Sequence, residues 1–402
     1  MLIPIIIALI LGVLSGIFTG LIPGIHVNLI SIMLLSMSPV LLVYTNPFVL
    51  GVFIIAMALT HSFVDAIPSI FLGAPDGGQE LNVLPGHKML LEGHGLQAVQ
   101  LTVIGSFCTL VVVIAMMPLM VFIAPALASF IQPYIGHILL AVVMYMLWKE
   151  KGFKKLWGLI VFTLSGIMGY YVLNFPTLEQ PLLPMLSGLF GISTLFLSLN
   201  DSNTLPIQKM KEKIALELKP TIKAIAGSSC CGSLTGLLPG LGSAQAAILA
   251  SEVVGNLGTY GFIVMIGGIN TANFVFSLVT FYTIQKARNG AVVAVKDLLQ
   301  TITLQELVVF AGVCLVVGAL AVVATLLLAR GFAFVMSKVK YEHICYSVIG
   351  LIILVVTYFS GFIGLLVLGT STAIGLLAPL LQVKRSLAMG CLLLPVMLYF
   401  LW

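Results

Sequence analysis

GLIPGIHVNLIS, from Gly20 to Ser31, sets Pro23 and Gly24 inside an apolar stretch, and GLLPGLGSAQAA, from Gly236 to Ala247, writes the same break again around Pro239 and Gly240. Proline removes a backbone donor and collides with the preceding helical turn, while glycine opens backbone angles closed to other residues. Together they end one half-helix and start another. In hydrocarbon each unpaired backbone group costs several kcal/mol, so such a break survives only inside protein or beside a wet cavity. The free N–H groups and partial positive charge of each new helix start are suited to an anion. One break could be ordinary helix packing; two in matching flanks point to a midplane site shared by two halves.

Composition agrees that the surroundings are a membrane. Of 402 residues, 60% are hydrophobic and 8% charged, with a mean hydropathy of +1.19, against about 25% charged in ordinary soluble domains. Leu101–Met117, Ile138–Trp148, Leu156–Leu173, Leu304–Leu328 and Ile344–Leu368 are apolar runs on the scale needed to cross a bilayer, singly or with tilt. The alternation of a β-barrel is missing. The opening MLIPIIIALILGVL has no basic n-region and reads as a first helix rather than a leader. The formal charge of +5 comes from eighteen Lys and Arg dispersed in short loops, which fits membrane topology and not a nucleic-acid partner. The six cysteines include no CxxC and read as small buried hydrophobes. The expected location is the cell membrane, with about ten to twelve crossing or re-entrant segments in an all-α fold.

Placing Pro23 on Pro239 also aligns Gly16 with Gly232, Thr19 with Thr235, Gly20 with Gly236 and Gly24 with Gly240. Each break is followed by a hydrophobic segment holding polar residues, FIIAMALTHSFVDAIPS in one case and FIVMIGGINTANFVFS in the other. The polar stretch Asn200–Pro220 lies midway. The chain therefore divides into a first repeat over 1–199, a linker over 200–220 and a second repeat over 221–402. No Lys or Arg precedes Lys88, whereas Lys209, Lys211, Lys213, Lys219 and Lys223 precede the second break. That asymmetry predicts two inverted repeats.

The candidate substrate site consists of Pro23, Gly24, His26 and Asn28 at the first break, and Pro239, Gly240, Gly242, Ser243 and Gln245 at the second. A carboxylate in apolar sequence is costly, so Asp65, with Ser62, Asn270, Thr271 and Asn273, forms the candidate cation-coupling set, for Na⁺ or a proton. His61, one turn before Asp65, offers it a structural pair instead. Gly73–Gly95 is dense in Pro and Gly and reads as a re-entrant loop or hairpin tip rather than helix. His87, His94, Glu80 and Glu92 match no metal signature, and no phosphate loop, nucleophile elbow or paired-acid motif is present. No cofactor and no enzymatic activity are expected.

Pro23-Gly24, the segment VDAIPSIFLGAPDGGQELNVLPGHKMLLEGHG and Pro239-Gly240-Leu241-Gly242 resemble the TctA family, the large membrane subunit of tripartite tricarboxylate transporters. Ala74-Pro75-Asp76 stands where the family has T-P-G, and Pro85-Gly86-His87-Lys88-Met89 where it has D-G-Y-x-M. The first break differs, carrying Ile25-His26 in place of Leu-Gly. The resemblance implies Na⁺- or H⁺-driven symport of a small carboxylate, often with an extracytoplasmic binding protein and a small membrane subunit; a homodimer and membrane lipid are the other expected contacts. Pro239-Gly240-Leu241-Gly242-Ser243 also comes near the P-G-x-S-G of polyprenyl-phosphate transporters, which makes a lipid carrier phosphate the alternative substrate.

Overall fold

The fold is given by a computed structural model that describes residues 2–22, 31, 34–35, 37–72, 83–178, 180–200, 206, 208–209, 214, 216–236, 243–255, 257–336, 338 and 341–401. The described residues contain helices and no strand. Apart from a single turn at Ser38–Leu41, the α-helices are α1 (Leu2–Leu21), α2 (Pro47–Val64), α3 (Ala66–Phe71), α4 (Val83–Leu91), α5 (Gly95–Ile131), α6 (Ile135–Trp148), α7 (Lys154–Leu173), α8 (Leu182–Leu186) and α9 (Ser193–Asn200). They continue as α10 (Leu218–Thr235), α11 (Ser243–Val254), α12 (Gly258–Ile284), α13 (Gly290–Leu299), α14 (Leu304–Met336), α15 (Tyr341–Leu380) and α16 (Gly390–Leu401). A π-helical segment, Ser187–Ile192, joins α8 to α9. Among the described residues seven helical runs are long and apolar enough to span a bilayer, with shorter apolar helices at Leu182–Leu197 and Arg385–Leu401. This is an all-α polytopic membrane protein.

Local chemistry fixes several boundaries. Asn46 caps α2 by accepting from the Val49 amide at 2.9 Å, and Pro47 at the first helical position forgoes an N–H that would be unpaired anyway. Before α14, Thr303 and Glu306 form a reciprocal capping box, with the Thr303 amide 2.7 Å from Glu306 Oε2 and the Glu306 amide 3.3 Å from Thr303 Oγ1. Within α15, Gly361 adopts φ 59°, ψ −155°, a conformation open to glycine, and kinks the helix there.

Two expectations need correction. Part of Gly73–Gly95 is helix: α4 forms because Pro85 falls in its first turn, where proline is tolerated. Gly86 also lets α4 sit directly on Ile70, whose Cγ1 would be 2.8 Å from an added Cβ. Residues 73–82 lie outside the described residues. Of the 200–220 linker, Leu218–Pro220 already belong to α10, and Gln208 is bonded to the helices beside it. Gln208 accepts from the Gly95 amide at 2.9 Å and donates to the Leu90 carbonyl at 3.0 Å, so its side chain caps α5.

The helices pack as two bodies. One core draws on α1–α5 and α10–α14. A second holds α6, α7, α8 and α16 with the end of α15, and a smaller cluster joins α9 to the start of α15. Within the first body, α2–α3 and α12 are the shielded elements. Of their most apolar windows 78% and 83% is buried, against 22% for α1, so the helices bearing the polar clusters are the ones withdrawn from lipid.

The same kinds of contact recur along the chain. Gly16 abuts Met57 and Thr60, and Gly232 abuts Ile269 and Ala272 in the same way; Gly20 meets Val64 as Gly236 meets Phe276. α2 packs on α14 while α12 packs on α5, and α1 touches α14 while α10 touches α5. In the second body Gly169 meets the Cys391 carbonyl and Gly375 the Leu189 carbonyl, while Gly390 sits against Phe162 and Ser165 as Gly188 does against Leu368 and Ser371.

Candidate functional site

The first polar cluster is assembled where α1 meets α2. Glycines at 12, 16 and 20 let the two backbones close on each other, and this brings Thr19 to His61. The Thr19 hydroxyl donates to the Gly16 carbonyl at 3.3 Å, and its oxygen lies 3.0 Å from His61 Nδ1. With the hydroxyl proton directed at Gly16, the geometry suits the His61 tautomer that carries its hydrogen on Nδ1. Both side chains are buried. Asp65, 4% exposed, sits at the junction of α2 and α3. Pro68 has no N–H to give the Val64 carbonyl, so the helix bends there. The Asp65 amide still donates to the His61 carbonyl at 2.9 Å. Ser62 is turned inward on its own helix, donating to the Leu59 carbonyl at 2.8 Å. Beside these, Thr60 Oγ1 and Ser69 Oγ are buried without a hydrogen-bond partner.

The second cluster follows the same plan on α10 and α12. Thr235, the counterpart of Thr19, donates to the Gly232 carbonyl at 2.6 Å. Ser243, the first residue of α11, donates to Asn270 Oδ1 at 3.3 Å. Thr271 donates to the Gly267 carbonyl at 3.4 Å within its own helix. Asn273 occupies the position equivalent to His61, and its Oδ1 is buried with no partner. Ser277, equivalent to Asp65, is fully buried and accepts from the Arg288 and Asn289 amides at 2.9 and 3.0 Å.

Ser243 and Asn270, assigned from sequence to substrate and to cation respectively, are therefore brought into direct contact. Ser62 on α2, with Asp65 capping its end, and Thr271 and Asn273 on α12 are carried by helices that touch. Pro23, Gly24, His26, Asn28, Pro239, Gly240 and Gly242 lie outside the described residues; Gln245 lies on α11.

Sequence reasoning matched Thr19 with Thr235 without assigning either to the site, and it missed Ser277, which no recurrence marks. It also passed over a cluster near Arg385, flagged by the only charges in the apolar run LLQVKRSLAMG. Arg385 donates to Thr194 Oγ1. It has no acidic partner within ion-pair distance among the described residues. Buried His87 lies 3.3 Å from the Ile70 carbonyl through Nδ1. Burial holds its pKa below the usual histidine value, the Ile70 carbonyl opposes that, and the Arg385 cation adds to it.

The family model of the Tripartite tricarboxylate transporter TctA family matches residues 6–390, far beyond the two regions that carry the sequence motifs. The chain belongs to the TctA family. An uncharacterised protein of Methanocaldococcus jannaschii is 30% identical over 406 residues, covering 98% of this chain and 98% of that protein. No solved structure matches. As a TctA-family member the chain is a membrane component of a tripartite-type transporter, a class whose large subunit works with a binding protein and a small membrane subunit.

Proposed function

We propose that this TctA-family chain is a secondary active transporter of a small carboxylate anion, coupled to Na⁺ or H⁺. The anion rests on the helix starts after Pro23-Gly24 and Pro239-Gly240, with His26, Asn28, Ser243 and Gln245 shaping its seat. Asp65 with Ser62, Asn270, Thr271 and Asn273 takes the cation. The observation that carries the reading is the Ser243–Asn270 contact, which ties the start of the second half-helix to the polar cluster of shielded α12. A ligand there is felt by both elements at once. The partners are an extracytoplasmic binding protein and a small membrane subunit, and a homodimer is part of the same proposal.

The halves, over 1–199 and 221–402, are inverted in this reading. Its support is directional. α2–α3 finishes beside the start of α5, where an added Gly95 Cβ would meet Phe71 at 3.2 Å. The start of α5 adjoins the start of α12 through Gln97 and Tyr260. The beginning of α2 meets α13, beyond the end of α12, where Gly51 approaches Leu299 and Val295. The equivalent helices α2 and α12 accordingly run in opposite senses.

The test is uptake of labelled citrate and smaller carboxylates into proteoliposomes, under a Na⁺ or a proton gradient imposed separately, with Asp65→Asn as the control. Gradient-driven uptake lost in a folded Asp65→Asn protein is the expected result. Uptake that survives the substitution removes Asp65 from coupling and leaves it the backbone-capping role that Ser277 plays in the other half. If no carboxylate moves, even with the binding protein added, and a polyprenyl phosphate is flipped in the same vesicles, the lipid alternative replaces this one.

A further inference from the structure

A cavity of about 850 Å³ lies between the two bodies, at the end of the molecule where α12 finishes. Its walls include Tyr170, Asn174 and Leu398 from the second body, and Gly236, Lys286 and Arg288 from the first. Gly236 is the last described residue before the second break. Among the described residues no carboxylate lines the cavity; Asp297 and Glu306 belong to the same end but stand outside its walls. Lys286 and Arg288 have no acidic partner within ion-pair distance among the described residues. The surrounding protein desolvates the Arg288 guanidinium and lowers its pKa, so its charge gains from an anion that replaces the missing water.

Their placement is not what topology alone would give. Lys286, Arg288 and Lys296 are the described cations at this end. The other described Lys and Arg lie toward the opposite end: Lys209 beside the start of α5, the 149–155 loop against α11 and α12, and Lys384 against Glu150. By the positive-inside rule that basic end is cytoplasmic and the cavity faces outward. The positions of the two cavity cations are also fixed, because buried Ser277 accepts from the Arg288 and Asn289 amides and so pins the loop that carries them.

We propose that this cavity is an outward-facing capture site for a small organic anion with two or more carboxylates, held by Lys286 and Arg288 and delivered toward the second break. Arginine offers a planar two-pronged donor and lysine a mobile point charge, a pair matched to two carboxylates on one molecule. The inference rests on the transport reading for what the anion does next, but the cavity's potential and occupancy can be measured without transport.

The experiment places a thiol in the wall, Leu398→Cys, in vesicles of known sidedness, with the unsubstituted protein giving the background of its own cysteines. Rates with an anionic and a cationic impermeant thiol reagent are compared. The anionic reagent is expected to be favoured from the outside, and Lys286→Gln with Arg288→Gln to lower the anionic-to-cationic rate ratio by about tenfold. Lys296→Gln, outside the cavity walls, is expected to leave it unchanged. Millimolar citrate is expected to protect the thiol whatever the phosphatidylglycerol content of the vesicles. A ratio indifferent to the double substitution, or labelling from the cytoplasmic side alone, overturns the proposal. Protection that follows phosphatidylglycerol and ignores citrate overturns it too, in favour of a lipid occupant. Failure of uptake with ratio and protection intact sinks the transport reading and leaves the capture site standing.

Discussion

Gly232→Ala tests whether the close approach of α10 and α12 positions the site. A Cβ added at Gly232 would stand 2.7 Å from both the Ala272 Cβ and the Ile269 carbonyl oxygen. Carbon atoms are comfortable at about 3.5–4.0 Å, and a backbone carbonyl cannot rotate out of the way, so the helices must part by about 1 Å. Overpacking of this kind costs about 1–3 kcal/mol, offset by the up to 1 kcal/mol or so that alanine gains over glycine in a helix. The expected net loss is about 1–2 kcal/mol. Gly350→Ala on α15 is the control, since nothing lies within 4 Å of its added Cβ, and the helix propensity gain stands alone there. Both variants would be unfolded at equilibrium in mixed micelles and followed by far-UV circular dichroism. Gly16→Ala, against Met57 and Thr60, should resemble Gly232→Ala. Uptake should fall in both, because the displaced helices lead into the breaks. If Gly232→Ala proves as stable as Gly350→Ala, the contact is not tight and the argument that glycines set the site fails.

Three further outcomes are expected. Ser277→Ala leaves the Arg288 and Asn289 amides without their acceptor, at a cost of about 1–3 kcal/mol, and faster hydrogen exchange at those two amides would register it. Gln208→Ala uncaps α5 and releases the segment crossing it, costing about 1 kcal/mol; limited proteolysis between α9 and α10 should accelerate, and an unchanged pattern would count against the staple. Because the folded state holds the His87 pKa down, the unfolded chain takes the proton more readily. Stability should therefore fall as pH drops through the ordinary histidine range near about 6.5, and His87→Gln should flatten that slope in a pH series of thermal melts.

Patterns that act within one helix or against the whole bilayer were open to sequence reading. Leu101–Met117 and Leu304–Leu328 announce spans because hydrocarbon demands length and apolarity wherever the neighbours lie. The match of Gly16 and Gly232 with Thr19 and Thr235 was equally visible as recurrence. The helix at Val83–Leu91 is hidden from sequence reading because Pro and Gly density is a loop signal, whereas here Pro85 falls in a first turn and Gly86 serves a contact with Ile70. The second repeat of contacts, linking Ser165 and Gly169 with Ser371 and Gly375, also escaped, because each glycine's partner lies in the other half of the chain.

By itself, then, the amino-acid order determined a helical membrane protein with a doubled Pro-Gly break and a buried carboxylate at Asp65, since solvation by lipid and proline's missing donor are local facts. The partners of those residues depend on which backbones approach. That His61 meets Thr19, that Ser243 reaches Asn270, and that Lys286 and Arg288 share a cavity wall with Gly236 were decided by tertiary packing. Hydrogen bonds act over a few ångströms, and residues 27 to 42 positions apart come within that range only when helices lie side by side.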